Sequence, residues 1–212
     1  MARPVVLLNC ACSLDGRLAA PDGSPLPFSD EVDWRRVHLL RAESEAVLVG
    51  VNTVLSDDPS LKVKEDLAPL RPGHRLLRVV LDAKGRTPPG ARVADGSAPS
   101  LIVTAKGVKG RWARAEHATV PESEEGRLDL NAVLDLLARR GVEQLLVEGG
   151  GTVLRAFVDA GLCDRWTIYQ APVLVGGAGP SIFPGRPSSI GRRLHVENVE
   201  PQGKGVLWTL RP

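Results

Sequence analysis

The chain predicts an α/β fold with a mainly parallel central sheet, helices on both faces and a late antiparallel edge. Three observations predict it. Short apolar runs alternate with amphipathic stretches along the whole sequence, as in repeated strand–helix crossovers. One run, Leu145-Leu146-Val147, passes through Glu148 into Gly149-Gly150-Gly151-Thr152 and then into a helical pattern, so a strand ends in glycines that open a helix. The last apolar run, Gly205–Leu210, follows a turn-rich stretch with no helix before it, which suits an antiparallel edge strand.

Val5–Cys12 reads as a first, largely buried strand, turned by Ser13-Leu14-Asp15-Gly16. Pro21–Pro27 is a Pro/Gly/Ser loop, and a helix runs from Ser29 or Asp30 to Ala42. Ser29 is its expected N-cap, and Trp34, Val37 and Leu40 its expected apolar stripe. Ala46–Val49 is a short strand ending at Gly50, Asn52–Leu55 one helical turn, and Ser56–Pro59 an acidic loop. Leu76–Leu81, Leu101–Thr104 and Ala118–Val120 are further strands. Asp129–Arg140 is a helix with Asp at its start and Gly141 behind it. Gln144–Glu148 and Thr152–Ala160 form a β-α unit, and Arg165–Val175 is a late strand. Residues 176–193, rich in Gly, Pro, Ser and Arg, read as a surface excursion or a dimer-facing segment rather than a linker. With 212 residues and no internal repeat, a single domain over 1–212 is expected.

Composition narrows the function. A net charge of +2 with acids and bases interspersed argues against a nucleic-acid or membrane surface. No run is long enough to span a membrane, and the N-terminus does not read as a signal peptide. Cys10 and Cys12 share one face of a strand, and Cys163 is distant. The expectation is three buried reduced thiols in a cytoplasmic protein. His38, His74, His117 and His195 are scattered, with no ligand spacing, so no metal site is expected. A G-x-S-x-G elbow, a Walker lysine and the G-x-G-x-x-G fingerprint are all missing.

The glycine run has two readings: a phosphate cradle at a helix N-terminus with a carboxylate beside it, or a tight turn without a ligand. Thr53 and Asp57 lie four apart, on one face of a helical turn, able to hold a ribose, carboxamide or phosphate from the side. An aspartate here, Asp57 or Asp58, equally caps a turn before Pro59. Asp82-Ala83-Lys84-Gly85-Arg86 follows a strand and suits a ribose and an extra phosphate, or forms a solvated loop. Arg41 relaxes a helix dipole or binds a phosphate.

Taken in order, the residues resemble the reductase of riboflavin biosynthesis. The resemblance rests on Cys12-Ser13-Leu14-Asp15-Gly16-Arg17, on Leu39-Leu40-Arg41-Ala42, and on Gly50 with Asp57-Asp58-Pro59-Ser60-Leu61. It rests also on Val80-Leu81-Asp82-Ala83-Lys84 with Ala91-Arg92-Val93, on Glu148–Thr152, and on Ala171-Pro172-Val173-Leu174-Val175-Gly176-Gly177. It implies a dihydrofolate reductase-like fold, a homodimer, and NADPH-dependent reduction of a ribosylamino group to ribitylamino on a pyrimidine ribose phosphate. It further implies that Thr53, Asp57, Leu81, Asp82, Ala83, Lys84, Gly149, Gly150, Gly151, Thr152, Val153 and Leu154 contact NADPH. Arg41, Leu61, Lys64 and Glu148 would contact the substrate, with Arg41 and Lys64 on its 5′-phosphate. Lys64 stands where bacterial members often carry arginine, and Ala83 where serine is common; lysine lacks arginine's bidentate fork.

Asp15 or Glu148 would assist ring opening by proton transfer. Lys84 and Arg86 would read the 2′-phosphate. The deaminase signature, H-x-E followed by P-C-x-x-C, is missing as a set: His195-Val196-Glu197 has no P-C-x-x-C after it, so the resemblance is to the single-function archaeal and fungal type. Those enzymes act on 2,5-diamino-6-ribosylamino-4(3H)-pyrimidinone 5′-phosphate before deamination. Three alternatives stay open: action on the deaminated uracil, another pterin or folate reductase on this fold, and a non-catalytic NADP-binding module.

Overall fold

A computed structural model describes residues 2–123, 126–185 and 193–211. The elements in chain order are β1 (Val5–Cys12), α1 (Glu31–Glu43), β2 (Ala46–Gly50), α2 (Val51–Asp57), β3 (Leu77–Leu81), β4 (Ser100–Ala105) and β5 (Glu116–Val120). They continue with α3 (Leu130–Ala138), β6 (Gln144–Val147), α4 (Gly151–Asp159), β7 (Arg165–Gln170), β8 (His195–Gln202) and β9 (Gly205–Arg211). The chain divides into two compact units: Met1–Val5 with His38–Leu146, and Val6–Val37 with Val147–Pro212.

In the first unit the strands lie in the order β5-β4-β3-β2-β6. The pairs β2–β3, β3–β4 and β4–β5 are parallel. Every residue of β2 and β4 is buried, which is why these strands read as continuous apolar runs rather than alternating ones. The Asp129 carboxylate accepts from the Asn131 and Ala132 amides and so caps α3, where Val133, Leu134, Leu137 and Ala138 form the buried stripe. Leu134 and Leu137 are essentially inaccessible, each stabilising the fold by about 2 kcal/mol through burial.

In the second unit the order is β1-β7-β9-β8, with β1–β7 parallel and β7–β9 and β9–β8 antiparallel. The mainly parallel sheet with a late antiparallel edge is as the sequence predicts. Two strand expectations need correction. The strand expected over Arg165–Val175 stops at Gln170, because Pro172 supplies no amide to a ladder and the chain turns at Gly176 and Gly177, both at positive φ. β8 was not expected at all. Residues His195–Pro201 are all exposed, so its sequence shows no apolar alternation. The expected excursion over 176–193 falls partly on 186–192, outside the described residues.

α1 departs from its expected stripe. Trp34 is 46% exposed and Leu40 only half-buried. Val37 is buried as expected, and the other buried positions are Asp33, His38, Arg41 and Ala42, three of them polar. Asp33 is paired by Arg36, whose Nε donates to Oδ1 at 2.8 Å, and Ser29 Oγ donates to Oδ2. Arg36 Nη1 donates to Asn9 Oδ1 on β1 at 2.9 Å, and Thr167 Oγ1 on β7 donates to the same oxygen. A buried charge persists only when paired and hydrogen-bonded in this way. The N-cap is Asp30 rather than Ser29: its Oδ1 accepts the Asp33 amide and its Oδ2 the Lys204 amide. None of the three cysteines is in a disulfide, and all three are buried. Among the described residues no helix is long and apolar enough to cross a membrane.

Candidate functional site

In the second unit, the expected strand end and glycine turn are present with a shifted boundary. β6 ends at Val147, so Glu148 stands just beyond the strand, half-buried. Gly150 is the extended N-cap of α4, and Leu154, Phe157 and Val158 bury the helix's apolar face. None of Gly149, Gly150 and Gly151 has positive φ, so room, not dihedral freedom, explains Gly149 and Gly151. A Cβ on Gly149 would stand 2.7 Å from Val153 Cβ, and a Cβ on Gly151 would overlap the Ser181 carbonyl oxygen. The third glycine therefore admits the 181–184 backbone, while the first lets the helix turn close over Glu148–Gly150. Thr152 is exposed, Val153 half-buried and Leu154 fully buried.

Residues 172–184 are tied down from several sides. Asp15 Oδ1 accepts from Ser13 Oγ at 2.7 Å and from the Val175 amide at 3.0 Å; Oδ2 accepts from the Gly176 amide at 2.8 Å. Arg17 Nη1 donates to the Gly179 carbonyl, the Leu18 amide to Pro180, and the Ile182 amide to Gly16. Arg155 Nη1 donates to the Pro184 carbonyl, and its guanidinium lies 5.2 Å from the Phe183 ring centroid. The Ser13 hydroxyl and the two amides hold the Asp15 carboxyl well below the usual carboxylate range. A carboxylate so engaged anchors a turn and is a poor proton donor.

In the first unit, Thr53 and Asp57 both lie on α2, with Thr53 half-buried and Asp57 exposed. Asp58 is the left-handed C-cap, φ 39°, and its Oδ1 accepts the Arg92 amide at 2.8 Å. The helix is thus longer than the single turn expected, and the capping duty falls to Asp58. Leu81 and Ala83 are half-buried and Lys84 is exposed. Asp82 is fully buried: Oδ1 accepts the Arg86 amide, and Oδ2 accepts both the amide and hydroxyl of Thr87, at 2.6 and 2.7 Å. Its carboxylate shapes the 83–87 loop from within. Arg86 Nη2 donates to Asn52 Oδ1 at 2.8 Å. Arg111, which the sequence did not single out, donates to the Gly85 carbonyl at 2.9 Å and adds a third exposed cation beside Lys84 and Arg86.

The three positions expected to meet substrate in this unit lie on or against one segment. Arg41, 7% exposed, donates from Nη1 to the Lys62 carbonyl at 3.0 Å. Leu61 has φ 52° and is 2% exposed, so only its main chain can meet a ligand. Lys64 is exposed, and its amide donates to His38 Nδ1 at 3.1 Å. His38 was read as one of four scattered histidines; a side chain that accepts from a backbone amide leaves no sequence signature. Arg78, fully buried on β3, was also missed. It donates to the carbonyls of Ser60, Arg92 and Ala98 and to Asp95 Oδ1.

Residues 4–208 match the RibD C-terminal domain. A protein of Archaeoglobus fulgidus named 2,5-diamino-6-ribosylamino-4(3H)-pyrimidinone 5′-phosphate reductase is 37% identical over 219 residues, covering 99% of this chain and 98% of its own. A protein of the same name from Methanothermobacter thermautotrophicus is 43% identical over 178 residues, 82% of this chain and 81% of its own. Among solved structures, a Thermotoga maritima diaminohydroxyphosphoribosylaminopyrimidine deaminase/5-amino-6-(5-phosphoribosylamino)uracil reductase superposes with a TM-score of 0.80 at 28% identity. That match covers 99% of this chain and 57% of the other, so the present chain spans a little over half of the bifunctional protein. The fold is the dihydrofolate reductase-like fold of these reductase domains.

Proposed function

This chain belongs to the RibD C-terminal domain family, and from that premise we propose that it is an NADPH-dependent reductase of riboflavin biosynthesis. Its substrate is 2,5-diamino-6-ribosylamino-4(3H)-pyrimidinone 5′-phosphate, and the product carries a ribitylamino group. The observation that carries the reading is the likeness, over 99% of this chain, to an archaeal reductase of that name. The whole chain acts as one reductase domain.

Each unit carries residues that suit a phosphorylated dinucleotide: in the second, an α4 N-terminus opened by small residues, and in the first, exposed Lys84 and Arg86 on a loop built around buried Asp82. When bound, NADPH supplies the hydride. Gly149 to Leu154 hold its pyrophosphate at the helix start. Thr53 and Asp57 hold it from α2, and Leu81 to Lys84 wrap the ribose and phosphates, with Asp82 acting through the loop it shapes. Lys84 and Arg86 favour NADPH over NADH by pairing with the 2′-phosphate. Lys64 meets the substrate 5′-phosphate, Arg41 keeps cationic charge behind it, and the Leu61 main chain lines the same end. Glu148 accepts hydrogen bonds from the pyrimidine amino groups and moves the proton as the ribose opens to a C1 imine. Hydride transfer to that carbon then depends on alignment and on excluding water.

The working form is a homodimer in the cytoplasm. Exposed Val196 and Val199 on β8, Leu174 and Phe183 in the second unit support self-association, and three buried cysteines outside any disulfide support a reducing compartment. Light scattering on the purified protein checks the dimer.

Loss of NADPH absorbance, with the diaminopyrimidine ribose phosphate and its deaminated counterpart run side by side, tests the activity. Faster oxidation with the aminated compound is expected. Preference for the uracil, which the name of the Thermotoga protein specifies, would move the enzyme to after deamination. No oxidation with either would overturn the reductase reading. Glu148→Gln lowers turnover or substrate affinity roughly 10²-fold while NADPH binding stays near normal; equal loss of both would remove Glu148 from the substrate.

A further inference from the structure

Buried polar side chains of the first unit converge on one short segment, residues 58–64. Arg78, with no exposed surface, donates to the Ser60 carbonyl at 3.2 Å. Arg41, 7% exposed, donates to the Lys62 carbonyl at 3.0 Å. His38, 3% exposed, accepts the Lys64 amide on Nδ1 at 3.1 Å. Asp58 and Leu61 are the two non-glycine residues with positive φ among those described, at 39° and 52°. Residues other than glycine stay in that region only where their surroundings enforce it.

Lys62 and Lys64 are exposed residues, yet their main chain is bonded to side chains that are themselves buried. A buried guanidinium and a buried imidazole held in this way fix where the segment runs. Fixing the main chain also fixes where an exposed side chain on it is delivered.

We propose that His38 is a positioning residue for the substrate: by accepting the Lys64 amide it fixes the main chain beneath Lys64 and so sets where that ammonium meets the substrate phosphate. Arg41 performs the companion task at Lys62, through a carbonyl rather than only through its charge. The proposal rests on Lys64 being a phosphate contact, as given under Proposed function.

Three measurements test it. The first needs no variant. In the wild-type protein without substrate, the Lys64 amide exchanges with solvent at least about tenfold more slowly than an unstructured amide; an unprotected Lys64 amide rejects the proposal. The second compares His38→Leu, which lacks an acceptor, with His38→Asn, whose Oδ1 can stand where Nδ1 stands. His38→Leu raises KM for the phosphorylated pyrimidine about tenfold, with kcat and NADPH affinity within about twofold of wild type, and His38→Asn restores most of the loss. An unchanged KM in His38→Leu despite faster Lys64 exchange overturns the proposal, as does an Asn variant as impaired as Leu. The third is Lys64→Ala. If it leaves KM for the phosphorylated substrate unchanged, the phosphate reading of Lys64 fails. If it raises KM and His38→Leu does not, only the positioning role of His38 fails.

Discussion

The glycine turn at 148–154 and the segment 58–64 carry ligand-binding assignments of the same kind, and they are built by opposite means. In the turn, the residue types themselves make the structure. Gly149 and Gly151 leave room for the Val153 side chain and the Ser181 carbonyl, in backbone conformations any residue can adopt. In the segment, Asp58 and Leu61 stand at positive φ, and the residues beside them are bonded by partners remote in sequence: Arg78 for Ser60, Arg41 for Lys62, His38 for Lys64. One geometry is written locally and the other is imposed by the fold. A mutation in the turn should therefore act where it is made, whereas the segment is best broken from a distance.

The strongest way to break the segment is Arg78→Met, which strips the Ser60, Arg92 and Ala98 carbonyls of a buried donor and leaves Asp95 with its Ser97 bonds but no cation. Urea denaturation should show a loss of about 3 kcal/mol, and a loss below roughly 1 kcal/mol would mean that water replaces the guanidinium. The turn is broken in place by Gly151→Ala. Its methyl would overlap the Ser181 oxygen, so the helix start and residues 181–184 must part, at about 2 kcal/mol by the same assay. Stability unaffected by this change would show that the two segments separate freely.

Acid gives a smaller effect. The depressed folded-state pKa of Asp15 means that its stabilisation is complete above the unfolded value of about 4 and fades as pH falls below it. Asp30 and Asp95 shift in the same direction through their own backbone and serine partners. Asp15→Asn should therefore flatten the fall in unfolding free energy between about pH 4 and pH 2; an unchanged slope would mean the Asp15 bonds form equally well when protonated. The smallest effect sharpens the comparison. Asp58→Asn keeps a side-chain acceptor for the Arg92 amide and suits the left-handed region better, so thermal melting should show a gain of a few tenths of a kcal/mol, roughly 1 °C. A loss would show that the carboxylate charge, not the strain, dominates there.

These contrasts explain what could be read from the sequence. β1, β2, β4 and α3 were legible because burial alone dictates their residues, and Asp129 announces the α3 cap. α1 was legible as a helix but not in its orientation. Val37 is buried as expected, but Asp33, His38 and Arg41 share its face while Trp34 faces solvent, so hydrophobic periodicity alone did not orient the helix. β8 was hidden because seven exposed residues, Pro201 among them, carry no strand pattern, and its pairing with β9 supplies the order. At the site, Glu148 and the glycines were visible as a motif. The internal duties of Asp15 and Asp82 were not, since a carboxylate beside a turn looks the same in sequence whether it faces a ligand or its own backbone.

The cysteines bear on how all of this can be watched. Burial pushes the Cys10 thiol up to about 12 and Cys12 to about 11, so near neutral pH neither offers the thiolate that reacts with a maleimide. Cys163 is buried as well. A single cysteine introduced at an exposed position, such as Thr152 or Lys64, would therefore take a fluorophore selectively in the otherwise unaltered protein. Nature has left this enzyme a silent background for labelling.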